Sequence, residues 1–307
     1  MQHFRSITEV SLEQAWVTVG VFDGVHRGHQ QILHSLVDGA RASHAPSVVI
    51  TFDPHPAKLF GRGDIKLLTL PGERAKLLGE YGVDVVITEP FDQTLADVSA
   101  LDFMTRLKTQ LGLTRLILGY DSTLGRNREG NAARLTEIGR ELGYAVETVA
   151  ALGEAGGVLS STAIRKLVSV GQVDEAARLM GHPYRLTGLV AHGDERGRTI
   201  GFPTANLNYA REKVLPAGGI YACWAQVRGE RHQAAVNIGT NPTFTPDKQT
   251  VNVEAYLLDF NADIYDETVT LEFVQRLRDE LKYTSVGALI EQIHKDVAQT
   301  RAVLGTA

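Results

Sequence analysis

Two histidines near the N-terminus have the spacing of groups that hold an anion. His26 and His29 follow the first predicted strand and lead into the first predicted helix, three residues apart. A helix N-terminus offers free backbone N–H groups and the positive end of the helix dipole, which favour a phosphate. Gly24 and Gly28 let that phosphate approach the backbone closely. We therefore predict a phosphate site; two solvent-exposed loop histidines are the plainer alternative, and a metal site lacks an evident third ligand nearby.

A hydroxyl-rich segment offers a second set of phosphate ligands. Ser160, Ser161 and Thr162 precede a predicted helix, where hydroxyls and backbone N–H groups can contact phosphate oxygens. Arg165, one helical turn later, adds a charged fork. Taken alone, an ordinary helix N-cap is the simpler interpretation, although it explains one hydroxyl rather than three and an arginine.

The second half of the chain carries glycines followed by small polar residues. Gly193, Gly197 and Gly201 allow the backbone to fold around phosphates. Thr204 and Asn206 come next, and their neutral oxygens suit an Mg²⁺ ion that also binds ATP phosphates. A common turn is the alternative interpretation.

An acidic residue stands among apolar residues of a later predicted strand. The two-residue period of a strand puts Glu254 on the same face as Asn252 and Tyr256. An exposed charge on the face of a sheet is the usual explanation of such a carboxylate.

The elements that position these residues change type along the chain. Short apolar runs alternate with amphipathic segments in the first half, which predicts a doubly wound parallel α/β sheet with ligands at a topological switch point. The predicted strands are 16–22, 47–52, 83–88, 115–119 and 145–150, and the predicted helices are 30–42, 72–81, 100–111, 131–142, 162–170 and 173–180.

The remainder of the chain has the pattern of a small β-barrel with a terminal helix. Apolar residues alternate on a period of two, with turn residues between them. The predicted strands include 221–227, 232–236, 251–258 and 268–273, and the final amphipathic helix is 285–300. The pattern changes at residues 182–185, which predicts domains at 1–183 and 184–307.

Composition narrows the function classes. The 307 residues carry a formal net charge of −5, which disfavours a nucleic-acid partner. Neither a signal peptide nor an apolar stretch of about 20 residues is evident, so we expect a soluble, cytoplasmic protein with no membrane partner. Cys223 is the single cysteine, which excludes an internal disulfide and predicts a buried, inert thiol. The oligomeric state stays open.

The N-terminal motifs together resemble a known enzyme module. They read Gly-Val-Phe-Asp-Gly-Val-His-Arg-Gly-His at 20–29, Thr-Phe-Asp-Pro-His-Pro at 51–56 and Leu-Ser-Ser-Thr-Ala-Ile-Arg at 159–165. This set resembles the FMN adenylyltransferase module of bacterial bifunctional riboflavin kinase/FAD synthetases, which belongs to the nucleotidyltransferase superfamily. Ser122 and Leu124 depart from that family's pattern, which has phenylalanines there, and this departure predicts weaker flavin stacking.

The C-terminal motifs resemble the riboflavin kinase module of the same family. The glycine-rich loop and Pro-Thr-Ala-Asn at 203–206 are followed by Asn-Pro-Thr-Phe at 241–244, the strand glutamate and Arg-Leu-Arg-Asp-Glu at 276–280. The resemblance implies that Glu254 is the catalytic base and that Thr204 and Asn206 hold MgATP.

The resemblance implies a bifunctional enzyme that phosphorylates riboflavin to FMN with ATP and Mg²⁺, then adenylylates FMN to FAD with release of pyrophosphate. The implied catalytic residues are Glu254, His29, His26 and Arg165. The implied ATP-binding residues are Gly20, Phe22, Asp23, Gly24, His26, Gly28, His29, Ser160, Ser161, Thr162, Arg165, Gly193, Gly197, Gly201, Thr204 and Asn206. The implied flavin-binding residues are Asp53, His55, Pro56, Asp121, Arg128, Asn241, Arg276 and Glu280. A riboflavin kinase with an inactive N-terminal module and a non-catalytic flavin or nucleotide sensor are the alternatives.

Overall fold

Strands and helices alternate through the first half of the chain. The computed structural model describes residues 1–61, 63–154, 157–192, 201–240 and 251–305. The elements up to residue 158 are β1 (Gln2–Phe4), β2 (Ala15–Val19), α1 (Arg27–Ala42), β3 (Ser47–Asp53), α2 (Pro56–Leu59), α3 (Pro71–Glu80), β4 (Val85–Pro90), α4 (Gln93–Ala96), α5 (Ala100–Leu111), β5 (Leu113–Gly119), α6 (Ala132–Leu142), β6 (Ala145–Val149), β7 (Gly153–Glu154) and β8 (Gly157–Val158).

The central strands are buried on both faces. Val48 and Ile50 of β3 belong to one apolar core with α5 and α6, whereas Val49 belongs to a second core with α1 and α3. Successive strand residues point to opposite faces, so this division places helices on both sides of the sheet. The predicted doubly wound arrangement is confirmed.

The described strands of this sheet are parallel and follow the order β1-β4-β3-β2-β5-β6. The chain runs outward from β2 through β3 to β4, then returns to place β5 on the other side of β2. The switch point therefore lies between β2 and β5, and the loops after these strands form the place where open α/β sheets bind ligands.

The second half forms two helices, a barrel and a terminal helix. Its elements are α7 (Ser161–Ser169), α8 (Val173–Met180), β9 (Tyr184–Ala191), β10 (Ala205–Tyr209), β11 (Gly219–Val227), β12 (Glu230–Thr240), β13 (Val251–Leu257), β14 (Thr268–Arg278) and α9 (Val286–Leu304). The described strands close into an antiparallel barrel in the order β10-β13-β12-β11-β14-β9. Cys223 of β11 is buried inside it, and burial raises the pKa of this free thiol well above its ordinary value.

The chain divides into two compact units, Met1–Ser161 and Thr162–Ala307. Helix α8 contacts β9 and β14, so α8 belongs with the barrel rather than with the parallel sheet. The division into units falls before α7 and α8, whereas the sequence pattern changes after them, at residues 182–185. The boundary between the two functional domains stays a prediction. Among the described residues, no helix combines the length and apolar character needed to span a membrane.

Candidate active sites

The loop after β2 is anchored by a buried carboxylate. Asp23 is 1% exposed and accepts hydrogen bonds from the backbone N–H of Leu68 (3.0 Å) and of Thr69 (2.8 Å). The Thr69 hydroxyl donates to the same carboxylate at 3.1 Å and accepts from the Gly24 N–H at 3.0 Å. A carboxylate that accepts several hydrogen bonds from one neighbouring loop fixes the geometry of both loops.

This loop has an unusual backbone. Phe22, Gly24 and Val25 all have positive φ angles, of 52°, 77° and 38°. A Cβ atom on Gly24 would lie 2.6 Å from Cδ1 of Leu68, so only glycine fits this position without a shift. Positive φ at non-glycine residues costs about 1–3 kcal/mol each and concentrates at ligand-binding loops.

The two histidines of the loop stack on each other. Their ring centroids are 3.6 Å apart, and the rings of Phe22 and His29 pack edge to face with centroids 5.0 Å apart. Nδ1 of His26 accepts from the His29 N–H at 3.4 Å, which makes His26 the N-cap of α1. The loop therefore presents a stacked imidazole pair at a helix N-terminus, as the spacing predicts.

His29 is held in its neutral form. Burial lowers its pKa well below the ordinary value of 6.5, and the neighbouring His26 and Arg74 lower the pKa further. Within the described residues, Nδ1 of His29 is buried and has no hydrogen-bond partner. A neutral imidazole donates one hydrogen bond, so His29 can offer a phosphate an N–H group rather than a full positive charge.

A buried arginine belongs to this neighbourhood, and the sequence analysis missed it. Arg74 of α3 is 1% exposed and donates from Nη2 to the Phe52 carbonyl at 2.9 Å. Burial lowers its pKa, while the charges of Asp23 and Asp53 raise the pKa again. Arg74 stands beside Ala75 on the apolar face of its helix. Because arginine is rarely buried, a charged residue on such a face is the sequence feature that could have identified it.

A cavity of about 670 Å³ opens at the switch point of the sheet. Residues after β2, β3, β4 and β5 line it, and this volume is within the range of about 300–1,000 Å³ for small-molecule pockets. Four phenylalanines contribute to its wall: Phe52, Phe60, Phe91 and Phe103. The Phe91 ring contacts those of Phe52 and Phe60 edge to face, with centroids 5.3 and 6.2 Å apart.

The two residues that depart from the family pattern also line this cavity. Leu124 is 9% exposed and packs in the core with α5 and α6. Ser122 accepts from the Gly119 N–H through its hydroxyl at 3.0 Å, which closes the turn after β5. Leu124 therefore fills the core and Ser122 stabilises a turn, and the aromatic part of the cavity wall comes from phenylalanines elsewhere in the chain.

Of the residues implied for flavin binding in this unit, two line the cavity and three are not among its lining residues. Pro56 and Arg128 line the cavity. His55 caps α2 by accepting from the Ala57 N–H at 3.0 Å, Asp53 ends β3, and Asp121 lies on the exposed turn after β5.

The hydroxyl-rich segment begins α7. The Ser161 hydroxyl donates to the Asp23 carbonyl at 2.9 Å, which joins this segment to the histidine loop within the first unit. Ser160, just before the helix, is exposed. In the second unit, the Thr162 hydroxyl accepts from Arg165 at 3.5 Å.

The polar residues of the barrel form a row on its outer face. Asn206 of β10 and Asn237 of β12 are the direct partners of Glu254, one on each side of β13. Val253 and Ala255 are buried inside the barrel, so Glu254 points outward between its two neighbours. The oxygens of Asn206 and Glu254 form a donor set that suits Mg²⁺.

Thr204 lies just before β10 and lines a cavity of about 150 Å³. This volume is below the range of about 300–1,000 Å³ that is typical of small-molecule pockets. Gly201 nearby has a φ of +87°, which favours glycine. Gly193, Gly197 and Asn241 lie outside the described residues.

The last motif places its two implied flavin ligands on different faces. The carboxylate of Glu280 lies over Gly239, where a Cβ atom would be 2.1 Å from Oε1, on the outer face with Asn237. Arg276 instead pairs with the buried Tyr221, donates to the Gly218 carbonyl and forms an ion pair with Asp279 at 2.8 Å. The structure thus brings Glu280, but not Arg276, to the face that carries Glu254.

Comparisons with known proteins cover both units. A family model for riboflavin kinase matches residues 180–304, and one for FAD synthetase matches residues 8–163. Bifunctional riboflavin kinase/FMN adenylyltransferases from Listeria monocytogenes and Escherichia coli K12 are 36% and 35% identical to this chain over 290 and 304 residues. The alignments cover 93% and 98% of this chain and 91% and 96% of those proteins.

A solved structure shares the complete fold. It is described as a macrolide-efflux protein from Streptococcus pneumoniae and is 32% identical to this chain. The TM-score is 0.88, and the match covers 97% of this chain and 98% of that one. The likeness therefore extends over both the parallel sheet and the barrel.

Proposed function

Because this chain belongs to the family of bifunctional riboflavin kinase/FMN adenylyltransferases, we propose that its barrel unit converts riboflavin to FMN and its parallel-sheet unit converts FMN to FAD. One observation carries the second half of this proposal. The aromatic cavity is lined by Gly20 and Val21, which lead into the loop of the stacked histidines. A cavity for a flat ring thus adjoins a loop suited to phosphates, which is what joining FMN to an adenylyl group requires.

Adenylyl transfer needs positioning more than acid–base chemistry. The FMN phosphate attacks the α-phosphate of ATP, a new phosphorus–oxygen bond forms, and pyrophosphate leaves. The nucleophile is already an anion, so no residue has to remove a proton. We assign hydrogen bonding to the phosphates to His26 and His29, since preorganised donors stabilise the charge that develops there. The roles that the resemblance implies for Thr162 and Arg165 stay predictions.

Phosphorylation of riboflavin requires a base. The 5′-hydroxyl attacks the γ-phosphate of ATP, and ADP leaves; we assign removal of the hydroxyl proton to Glu254. Thr204 and Asn206 would hold Mg²⁺, which neutralises phosphate charge when bound. Their neutral oxygens, with the Glu254 carboxylate beside Asn206, agree with that assignment.

The aromatic wall argues against an inactive N-terminal module. This alternative rests on Ser122 and Leu124, which replace two phenylalanines of the family pattern. The cavity wall nevertheless contains the aromatic rings of Phe52, Phe60 and Phe91. An aromatic pair contributes about 0.5–1.5 kcal/mol beyond area burial, so these rings offer a flavin aromatic contacts although residues 122 and 124 are not aromatic. A sensor would need neither a strand carboxylate flanked by amides nor the stacked imidazole pair.

A product assay tests the proposal. The purified chain is incubated with riboflavin, ATP and Mg²⁺, and the flavins are separated by chromatography. We expect FAD. Accumulation of FMN alone would support the inactive-module alternative, and no product would support the sensor. Phe91→Ala should raise the KM for FMN in the second step and leave the rate of riboflavin phosphorylation unchanged.

The expected cytoplasmic location stays a proposal as well. Its support is that Cys223 is a free thiol, which suits a reducing compartment.

A further inference from the structure

A buried acceptor atom in the barrel has no donor. Oδ1 of Asn237 is shielded from solvent, and among the residues that the structure describes nothing donates a hydrogen bond to it. A buried polar atom without a partner is costly, and such atoms in a folded protein call for an explanation. Asn237 stands directly opposite Glu254 across the β12–β13 ladder, so the explanation concerns the proposed kinase site.

The surroundings of this atom are rich in acceptors. Glu254 faces Asn237 from one side, and the Glu280 carboxylate lies over Gly239, two residues further along the same face of β12. Ionised carboxylates only accept hydrogen bonds. Arg278, which lies beyond Ile220 in the same row, already donates two hydrogen bonds to Asp296, at 2.7 and 2.6 Å. A ligand that fits this face therefore brings either a cation or hydrogen-bond donors, and the cation is already assigned to Thr204 and Asn206.

A chain of hydroxyl groups meets this requirement. Side chains directly opposite each other on antiparallel strands have Cβ atoms about 4.5–5.5 Å apart, a span that hydroxyls of one polyol chain can cover. Riboflavin carries such a chain, and its terminal hydroxyl is the group that Glu254 is assigned to deprotonate. The next hydroxyls along the chain then lie within reach of Asn237.

We propose that Asn237 binds the ribityl chain of riboflavin, with Oδ1 accepting a hydrogen bond from a ribityl hydroxyl other than the one that is phosphorylated. Asn237 is then a specificity-determining residue, because it distinguishes flavins with a polyol chain from flavins without one. This inference rests on the proposed kinase activity of the barrel unit.

The test compares riboflavin with lumiflavin, which has the flavin ring and no ribityl chain. Steady-state phosphorylation gives the KM for riboflavin, and competition gives the Ki of lumiflavin at the same site. In Asn237→Ala we expect the KM for riboflavin to rise roughly three- to tenfold, the effect of one lost hydrogen bond. The Ki of lumiflavin, the KM for ATP and the Mg²⁺ concentration for half-maximal rate should stay unchanged.

Asn208→Ala is the matched control. Asn208 lies on the outer face of β10, two residues beyond Asn206, and is exposed, so its removal should change none of these constants. Conversion of added FMN to FAD serves as an internal control in both variants, because that reaction uses the first unit.

Three outcomes would overturn the assignment of Asn237. An unchanged KM for riboflavin would show that no bond to the substrate is lost. A parallel rise in the Ki of lumiflavin would place the effect on the ring or on the fold. A higher Mg²⁺ requirement would make Oδ1 a cation ligand instead. Failure of the wild-type chain to phosphorylate riboflavin is a separate result, which refutes the kinase proposal itself.

Discussion

At the residue scale, His29 links the chemistry of the first unit to its stability. Its pKa is lowered in the folded chain, chiefly by burial. Below pH 6.5 the unfolded chain binds a proton at this position that the folded chain does not bind. The contribution of His29 to stability is therefore complete above pH 6.5 and is lost as the pH falls through the interval between 6.5 and the lower folded value.

This gives a prediction for acid sensitivity. The fall in melting temperature between pH 7.5 and pH 5.5 should be smaller in His29→Gln than in the wild type. Trp16 is in the first unit and Trp224 in the second, so a Trp224→Phe background lets fluorescence report the first unit alone. His34→Gln, an exposed histidine on the same helix, is the control and should keep the wild-type fall. Equal acid sensitivity in His29→Gln and the wild type would contradict the argument.

Arg74 gives a second prediction at this scale. Arg74→Met removes the donor to the Phe52 carbonyl and the buried cation near Asp23 and Asp53. A buried acceptor without its partner costs about 1–3 kcal/mol, so the free energy of unfolding of the first unit should fall by that amount and its midpoint should shift to lower denaturant. The pKa of His29, followed by NMR titration, should rise toward 6.5 because one cause of its lowering is gone.

The matching control is Arg41→Met, the same substitution at an exposed position of α1. It should change neither the stability of the first unit nor the titration of His29. A His29 pKa that stays in place in Arg74→Met would mean that burial and His26 account for the lowering without Arg74.

At the element scale, the sequence predicted the regular structure of the first unit well. Each of the five predicted strands is present with ends shifted by at most two or three residues, and α5 has the predicted bounds, 100–111. β1 was missed because three residues are too few for a pattern, and it is a strand only because it pairs with β4. Arg74 was missed because the periodicity of apolar residues identifies the buried face of a helix. It does not show that a charged residue is also buried on that face.

The terminal helix is tied to the barrel by a buried ion pair. Arg278 of β14 and Asp296 of α9 have side chains that are only 18% and 5% exposed, and Gln292 donates to the same carboxylate at 2.9 Å. The two hydrogen bonds from the guanidinium fork fix the helix on the strand that leads into Glu280.

Asp296→Asn should therefore destabilise the second unit selectively. Removal of one partner leaves a buried cation uncompensated, which costs about 3–5 kcal/mol. In a Trp16→Phe background, the unfolding transition reported by Trp224 should shift to lower urea, whereas the Trp16 transition in a Trp224→Phe background should not move. Lys295→Gln, on the exposed side of the same helix, is the control. A shift of both transitions would show that the units do not unfold separately.

At the scale of the whole molecule, the two sites differ in how far sequence could predict them. The histidine loop is continuous in sequence, so its place at the switch point followed from the strand before it and the helix after it. The aromatic cavity is assembled from Phe52, Phe60, Phe91 and Phe103, which belong to a strand, two separate connections and a helix. No local pattern relates these residues, and for that reason the two missing phenylalanines at 122 and 124 carried more weight in sequence than they do in the structure.

The two activities should separate by mutation, because His29 and Glu254 belong to different compact units. Loss of a general base typically lowers a rate by about 10²–10⁴-fold. Glu254→Gln should therefore stall riboflavin phosphorylation and still convert added FMN to FAD. His29→Ala should do the reverse, so that FMN accumulates from riboflavin with little FAD.

Product chromatography of each variant, supplied first with riboflavin and then with FMN, measures both steps in the same preparation. Each variant is its own control for folding, since the step in the unmutated unit must keep its wild-type rate. Wild-type phosphorylation of riboflavin by Glu254→Gln would make the assignment of the base wrong. If the wild-type chain itself never converts FMN to FAD, then the phenylalanines around the cavity do not replace those absent at Ser122 and Leu124, and the first unit is an inactive module attached to a working kinase.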